Sequence, residues 1–164
     1  MTAERPWLDG LRASSAALQG VLAALLEAER RMAPPASPLE RLQQITTSPE
    51  WAWLQPLYSL IADLDHALAH AQDFPESESA AIGAHARELL SGGGAPAEQP
   101  FLEHYRAQLQ SDPKVAMAHA AALRALQTLP PEPTNQAERL HARHQWNERR
   151  RFLRMGQGGG RGTS

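Results

Sequence analysis

The chain has 164 residues, 42% of them apolar and 5% aromatic, with a formal net charge of −2 and no cysteine. That length suffices for one domain with a buried core, and the absence of thiols excludes disulfides, thiolate catalysis and cysteine-ligated zinc or iron–sulfur centres. Ala, Leu, Arg, Glu and Gln dominate, while β-branched residues are few (Val21, Val115, Ile45, Ile61, Ile82 and some Thr), so the expected fold is all-α, a compact bundle of about six helices.

Charge is divided along the chain. Residues 1–135 carry nine Lys and Arg against sixteen Asp and Glu, a net −7, and residues 136–164 carry seven Arg against Glu138 and Glu148, a net +5. The N-terminus shows no basic segment followed by an apolar run. The apolar stretch from Ala16 to Leu26 is too short to span a bilayer and is closed by Glu27 and Glu29, which reads as a cytoplasmic protein without a membrane segment.

In chain order, Leu8, Leu11, Leu18, Leu22, Leu25 and Met32 recur at three- and four-residue spacing and predict a helix from Trp7 to Met32, interrupted but not broken by Ser14 and Ser15. Pro34-Pro35 ends it. Ser37, Pro38 and Glu40 form a capping-box arrangement before a short helix with Leu39, Leu42 and Ile45 as its apolar edge. Ser48-Pro49-Glu50 restarts the pattern, which runs to about Ala71 with Trp53, Leu57, Leu60, Ile61, Leu64 and Leu68 on one face; Pro56 inside it either kinks one long helix, the favoured reading, or separates a first turn carrying Trp51 and Trp53 from a helix starting near Pro56. A fourth helix spans Pro75 to Leu90, with Ile82, Ala86, Leu89 and Leu90 inward, Glu76 and Glu78 in its first turn, and Gly92-Gly93-Gly94 as its stop. Phe101, Leu102, Tyr105 and Leu109 mark a fifth helix. Asp112 caps a sixth, with Val115, Ala118, Ala122, Leu123 and Leu126 inward, ending near Leu129.

Pro130-Pro131-Glu132-Pro133-Thr134-Asn135 is a stiff linker of polyproline type. The expected organisation is therefore a bundle domain at 1–129, a linker at 130–135, a basic helical arm at 136–155 and a glycine-rich tail at 156–164, disordered by composition.

Four groups of residues carry candidate chemistry. Asp63, His66 and His70 share one helix face at metal-ligand spacing, but at about 100° per residue that face lies opposite Leu57, Leu60, Ile61, Leu64 and Leu68, so the three are expected in solvent. His119 falls along the apolar face of the sixth helix, where burial lowers an imidazole pKa and a hydrogen bond to a neighbouring helix is expected. Trp51, Trp53 and Tyr58 suit the end of the bundle where the first and third helices cross, or a ligand groove. In the arm, Arg139, Arg143, Arg149, Arg150, Arg151 and Arg154 alternate with Trp146 and Phe152, a pattern that engages phosphates and stacks on unpaired bases or is simply held by the acidic body. Phosphate-loop and dinucleotide-binding glycine motifs are absent, as is the pair of inward Glu-x-x-His motifs, on separate helices, that a di-iron bundle requires.

Two segments, Ser48-Pro49-Glu50-Trp51-Ala52-Trp53-Leu54-Gln55-Pro56-Leu57 with Ile61-Ala62-Asp63-Leu64-Asp65, and Tyr105 through Asp112-Pro113-Lys114-Val115 to Ala118-His119, together resemble a group of short, uncharacterised bacterial helical proteins. These carry a Trp-Leu-x-Pro-Leu helix and a later Asp-Pro-x-Val…Ala-His element. The resemblance covers roughly residues 15–129 and implies a bacterial cytosolic source but no activity; the arm after Pro130 lies outside it. The functional expectation is a non-enzymatic interaction or accessory module with a protein partner and no cofactor. Nucleic-acid or anionic-partner binding through residues 136–161 is the alternative, and a small-molecule or metal-binding bundle the third.

Overall fold

The computed structural model describes residues 5–32, 37–40, 49–92 and 96–158. Among these the chain is all-α, with no strand. Helix α1 (Pro6–Met32) is the central rod: Trp7, Leu11, Leu18, Val21 and Leu25 are buried along one stripe. Ser14 and Ser15 belong to that same stripe and are buried too. Ser15 Oγ donates to Asp65 Oδ1 at 2.9 Å, so the polar interruption of the pattern fastens α1 to the next long helix.

Residues 38–40 are helical, and Ser37 Oγ accepts the Glu40 amide at 3.2 Å, as the capping box requires. Leu39, expected on an apolar edge, is instead 64% exposed; Leu42 and Ile45 lie outside the described residues. Of the two readings of Pro56, the favoured kink is not found and the separation is. A 3-10 turn (Pro49–Leu54) leads directly into α2 (Gln55–Ala69), with Pro56 in its first turn. Proline has no amide to give and tolerates only first-turn positions, so regular α hydrogen bonding begins there instead of passing through.

Helix α3 (Glu76–Ser91) follows Pro75 and ends at Gly92, whose φ of 95° is the left-handed cap that glycine adopts without strain. A short 3-10 turn (Pro96–Glu98) precedes α4 (Gln99–Ser111). Asp112 then caps α5 (Pro113–Leu126), its carboxylate accepting the Lys114 amide at 2.9 Å. The other Asp112 oxygen takes Arg31 Nη2 at 2.7 Å, so one side chain starts α5 and ties it to the end of α1. Helix α6 (Gln136–Gly158) is the basic arm, extending three residues past Met155; the tail beyond it lies outside the described residues.

Helix α1 packs chiefly against α5 and α2, α4 packs on α5, and α3 bridges α2 and α5. Phe101 and Tyr105 of α4 are fully buried and stacked at 5.1 Å. The turn after α5 seats Leu129 between α1 and α3. A Cβ at Gly10 would meet Thr128 O at 3.0 Å, and one at Gly83 would meet Leu129 Cδ1 at 3.0 Å. Both glycines therefore sit within helices, at a local cost of about 1 kcal/mol each relative to alanine, because the turn approaches too closely for a side chain. Among the described residues, no helix is long and apolar enough to cross a membrane.

Candidate functional site

Helix α6 runs antiparallel to α3 and packs principally on it. The sequence produces this local fold in two steps. Asn135 Oδ1 accepts the Ala137 amide at 2.8 Å and so caps the helix after the proline-rich linker. Four-residue spacing then places Ala142 and Trp146 on a single inner stripe, 4% and 2% exposed. Trp146 meets Phe74 edge-on, with centroids 6.4 Å apart and planes at 78°, the favoured T-shaped geometry.

Flanking that indole, three arginines reach carboxylates of the body. Arg143 places Nε 2.7 Å and Nη2 2.6 Å from the two oxygens of Glu132, and Nη2 also donates to Glu88 Oε1 at 2.8 Å. Arg149 engages Glu78 in a fork, at 2.5 and 3.2 Å, and lies 5.2 Å from the Phe74 ring centroid. Arg150 Nε lies 2.9 Å from Asp63 Oδ2, and its guanidinium sits over the Trp146 ring at 5.4 Å. The Arg143 hydrogen bond holds the Glu132 carboxyl below its usual value, and Glu132 in turn pushes the guanidinium up. These contacts explain why α3 is buried nearly all round between Glu78 and Ala84: one face meets the core and the other meets α6.

This contact changes the standing of several residues. Asp63, expected in solvent, is only 7% exposed, because Arg150 of α6 reaches it, while Ala62 and Asp65 on the outer face of α2, and His70 at its end, stay exposed as the helical wheel requires. His66 and His70 do come together, their rings 4.2 Å apart, and His70 Nδ1 lies 3.1 Å from His66 O. Burial, with His70 and Arg149 adding to it, lowers the His66 pKa. Asp63 is turned to Arg150, and no group of three His, Asp or Glu side chains among the described residues converges on a metal position. One Glu-x-x-His spacing does occur, Glu138 with His141 in the first turns of α6, where both are exposed.

His119 has the inter-helix hydrogen bond expected of it. Tyr105 Oη of α4 lies 2.6 Å from its Nδ1. Burial raises the pKa of the phenol and lowers that of the imidazole, so the phenol keeps its proton and donates it to Nδ1. Among the described residues no carboxylate is bonded to that ring, and the pair is a tie between α4 and α5. Trp53 is buried as core and packs on α4: it stacks on His104 at 4.6 Å and lies 6.1 Å from Phe101. Tyr58 is half-buried, and burial raises its pKa; the Trp51 side chain lies outside the described residues.

Of the remaining arm residues, Arg139 is half-buried, Arg151 faces outward beside Glu148 at 3.5 Å, Phe152 is 79% exposed, and the Arg154 side chain lies outside the described residues. Phe74 and His85 carry no signal in the residue pattern that marks them for the site. The latter lies beneath α6, its Nε2 3.6 Å from Glu98 Oε1, beside a cavity of about 80 Å³ lined also by Glu88, Arg143 and Trp146. Burial lowers the His85 pKa against the pull of Glu98 and Glu88. No protein-family model matches the chain, and comparison with curated proteins and with solved structures returns no match.

Proposed function

We propose that the protein is a non-enzymatic interaction module whose business is helix recognition, carried out on the α2–α3 face. The observation that carries this reading is the manner in which α6 is held: one fully covered indole, Trp146, and arginines on Glu78, Glu88 and Asp63. That is the pattern of an amphipathic helix laid in a groove, with an aromatic anchor at the centre and charge pairs fixing register. A proline-rich tether delivers the helix. The charge division of the sequence, −7 against +5, supplies long-range attraction between the two parts.

The test is binding in trans. A labelled peptide of residues 136–158 is titrated into the full chain carrying Trp146→Ala and Arg149→Glu, which disable the resident helix. Saturable binding that weakens with salt supports the reading. A helical, cooperatively melting variant that ignores the peptide overturns it.

A further inference from the structure

Resting on that reading, we infer that the α2–α3 groove also accepts α6 from a second copy of this chain, so that two copies exchange arms reciprocally. Three observations lead there. The first is that α6 packs principally on α3 and touches α2 through Arg150–Asp63. Every one of these contacts is reproduced when the helix comes from another copy, so exchange loses none of them.

The second is the linker. Prolines at 130, 131 and 133 favour an extended polyproline path, whereas the closed chain must bring α6 back against its own α3. That return is secured by Glu132, whose carboxylate receives both Nε and Nη2 of Arg143. Residues 130–133 run without a turn or bend in the closed chain, and the direction changes after the prolines, at Thr134 and Asn135, so the same extended linker is long and stiff enough to carry α6 outward to a second copy. The third is charge. Body repels body at −7 and arm repels arm at +5, so the favourable encounter between copies is arm on body. On contact, the fork of Arg149 on Glu78 and its seat over Phe74 fix the register.

The experiment uses the full chain. Glu78→Arg and Arg149→Glu variants are each measured alone and then mixed in equal amounts, with mass read by light scattering after size exclusion. Each alone breaks the fork and is monomeric. The mixture contains one native pair, Arg149 on Glu78, and one reversed pair, and forms a particle of twice the monomer mass in which α6 amides regain protection from exchange. A mixture that stays at monomer mass, with α6 unprotected, overturns the inference.

Against the chance that Glu78→Arg fails to fold, the wild-type chain is refolded at millimolar concentration from equal parts of isotope-labelled and unlabelled protein. A filtered nuclear Overhauser signal between Phe74 of one copy and Trp146 of the other is expected. A wild-type sample that remains monomeric, or a dimer lacking that signal, contradicts exchange. The trans-peptide result is independent: peptide binding without exchange sinks the inference and leaves helix recognition standing.

Discussion

Replacing Trp146 with alanine is the perturbation that most sharply separates a docked helix from one merely attached. The indole is 2% exposed and packs edge-on to Phe74 at 6.4 Å. Truncating a buried aromatic removes its transfer free energy and leaves a cavity, about 3–5 kcal/mol in protein cores, of which the aromatic pair accounts for roughly 0.5–1.5 kcal/mol. The lower end applies, because α6 is an outer helix and its groove can fill with water. A loss of about 3 kcal/mol corresponds to roughly a hundredfold in the opening equilibrium of α6. Hydrogen exchange read by mass spectrometry is the assay: amides of residues 138–150 should exchange roughly a hundredfold faster, while those of α1 and α5 are unchanged. Trp146→Phe, which keeps a ring in place, should recover most of the protection. Unaltered exchange in α6 after Trp146→Ala, or a uniform loss across all helices, would refute the reasoning.

Further outcomes follow from the same geometry. Gly83→Ala should destabilise by about 1–3 kcal/mol in chemical denaturation, since its Cβ would press on Leu129 Cδ1 at 3.0 Å. Gly20→Ala should stabilise by about 0.5–1 kcal/mol, because nothing lies within 4 Å of its Cβ; the opposite signs are the check. Asp112→Ala removes both the α5 cap and the Arg31 partner and should cost about 1–2 kcal/mol in urea unfolding. The histidines set the acid response. His66, His85 and His119 all have pKa values lowered from 6.5 by burial, so the stability each confers is complete above pH 6.5 and declines as the pH falls through the folded values. Glu132, lowered from 4.5, adds a second loss below pH 4.5, confined to the arm. A thermal midpoint that rises on acidification from pH 7 to pH 5 would contradict those shifts.

Three- and four-residue spacing of Leu, Val and Ile located the helices and their inner faces, because burial of an apolar stripe is a local property of the pattern. Local chemistry likewise marked the caps: Ser37, Gly92 and Asp112 act as their types suggest. What spacing cannot show is a second neighbour on the polar side of a helix. Asp63 reads as solvent-facing and Glu78 only as a first-turn acid, yet each is buried by an arginine from α6 more than sixty residues away. The charge division did hold that information in coarse form, since an acidic body and a basic arm attract, but it named no pairs. The arm's Trp146 at four-residue spacing from Ala142 was the finer signal, overshadowed by the arginine run. Pro56 is ambiguous in the sequence for a different reason: a first-turn proline and a kinking proline look alike until the preceding turn is known to be 3-10.

The central claim is that α6 lies in the α2–α3 groove with Trp146 against Phe74. Through-space magnetisation transfer between the Trp146 indole protons and the Phe74 ring protons, measured on the wild-type chain in dilute buffer, tests it most directly. Strong cross-peaks between these rings, at a 6.4 Å centroid separation, are the expected result. Absent cross-peaks, together with random-coil shifts for residues 138–150, would contradict it.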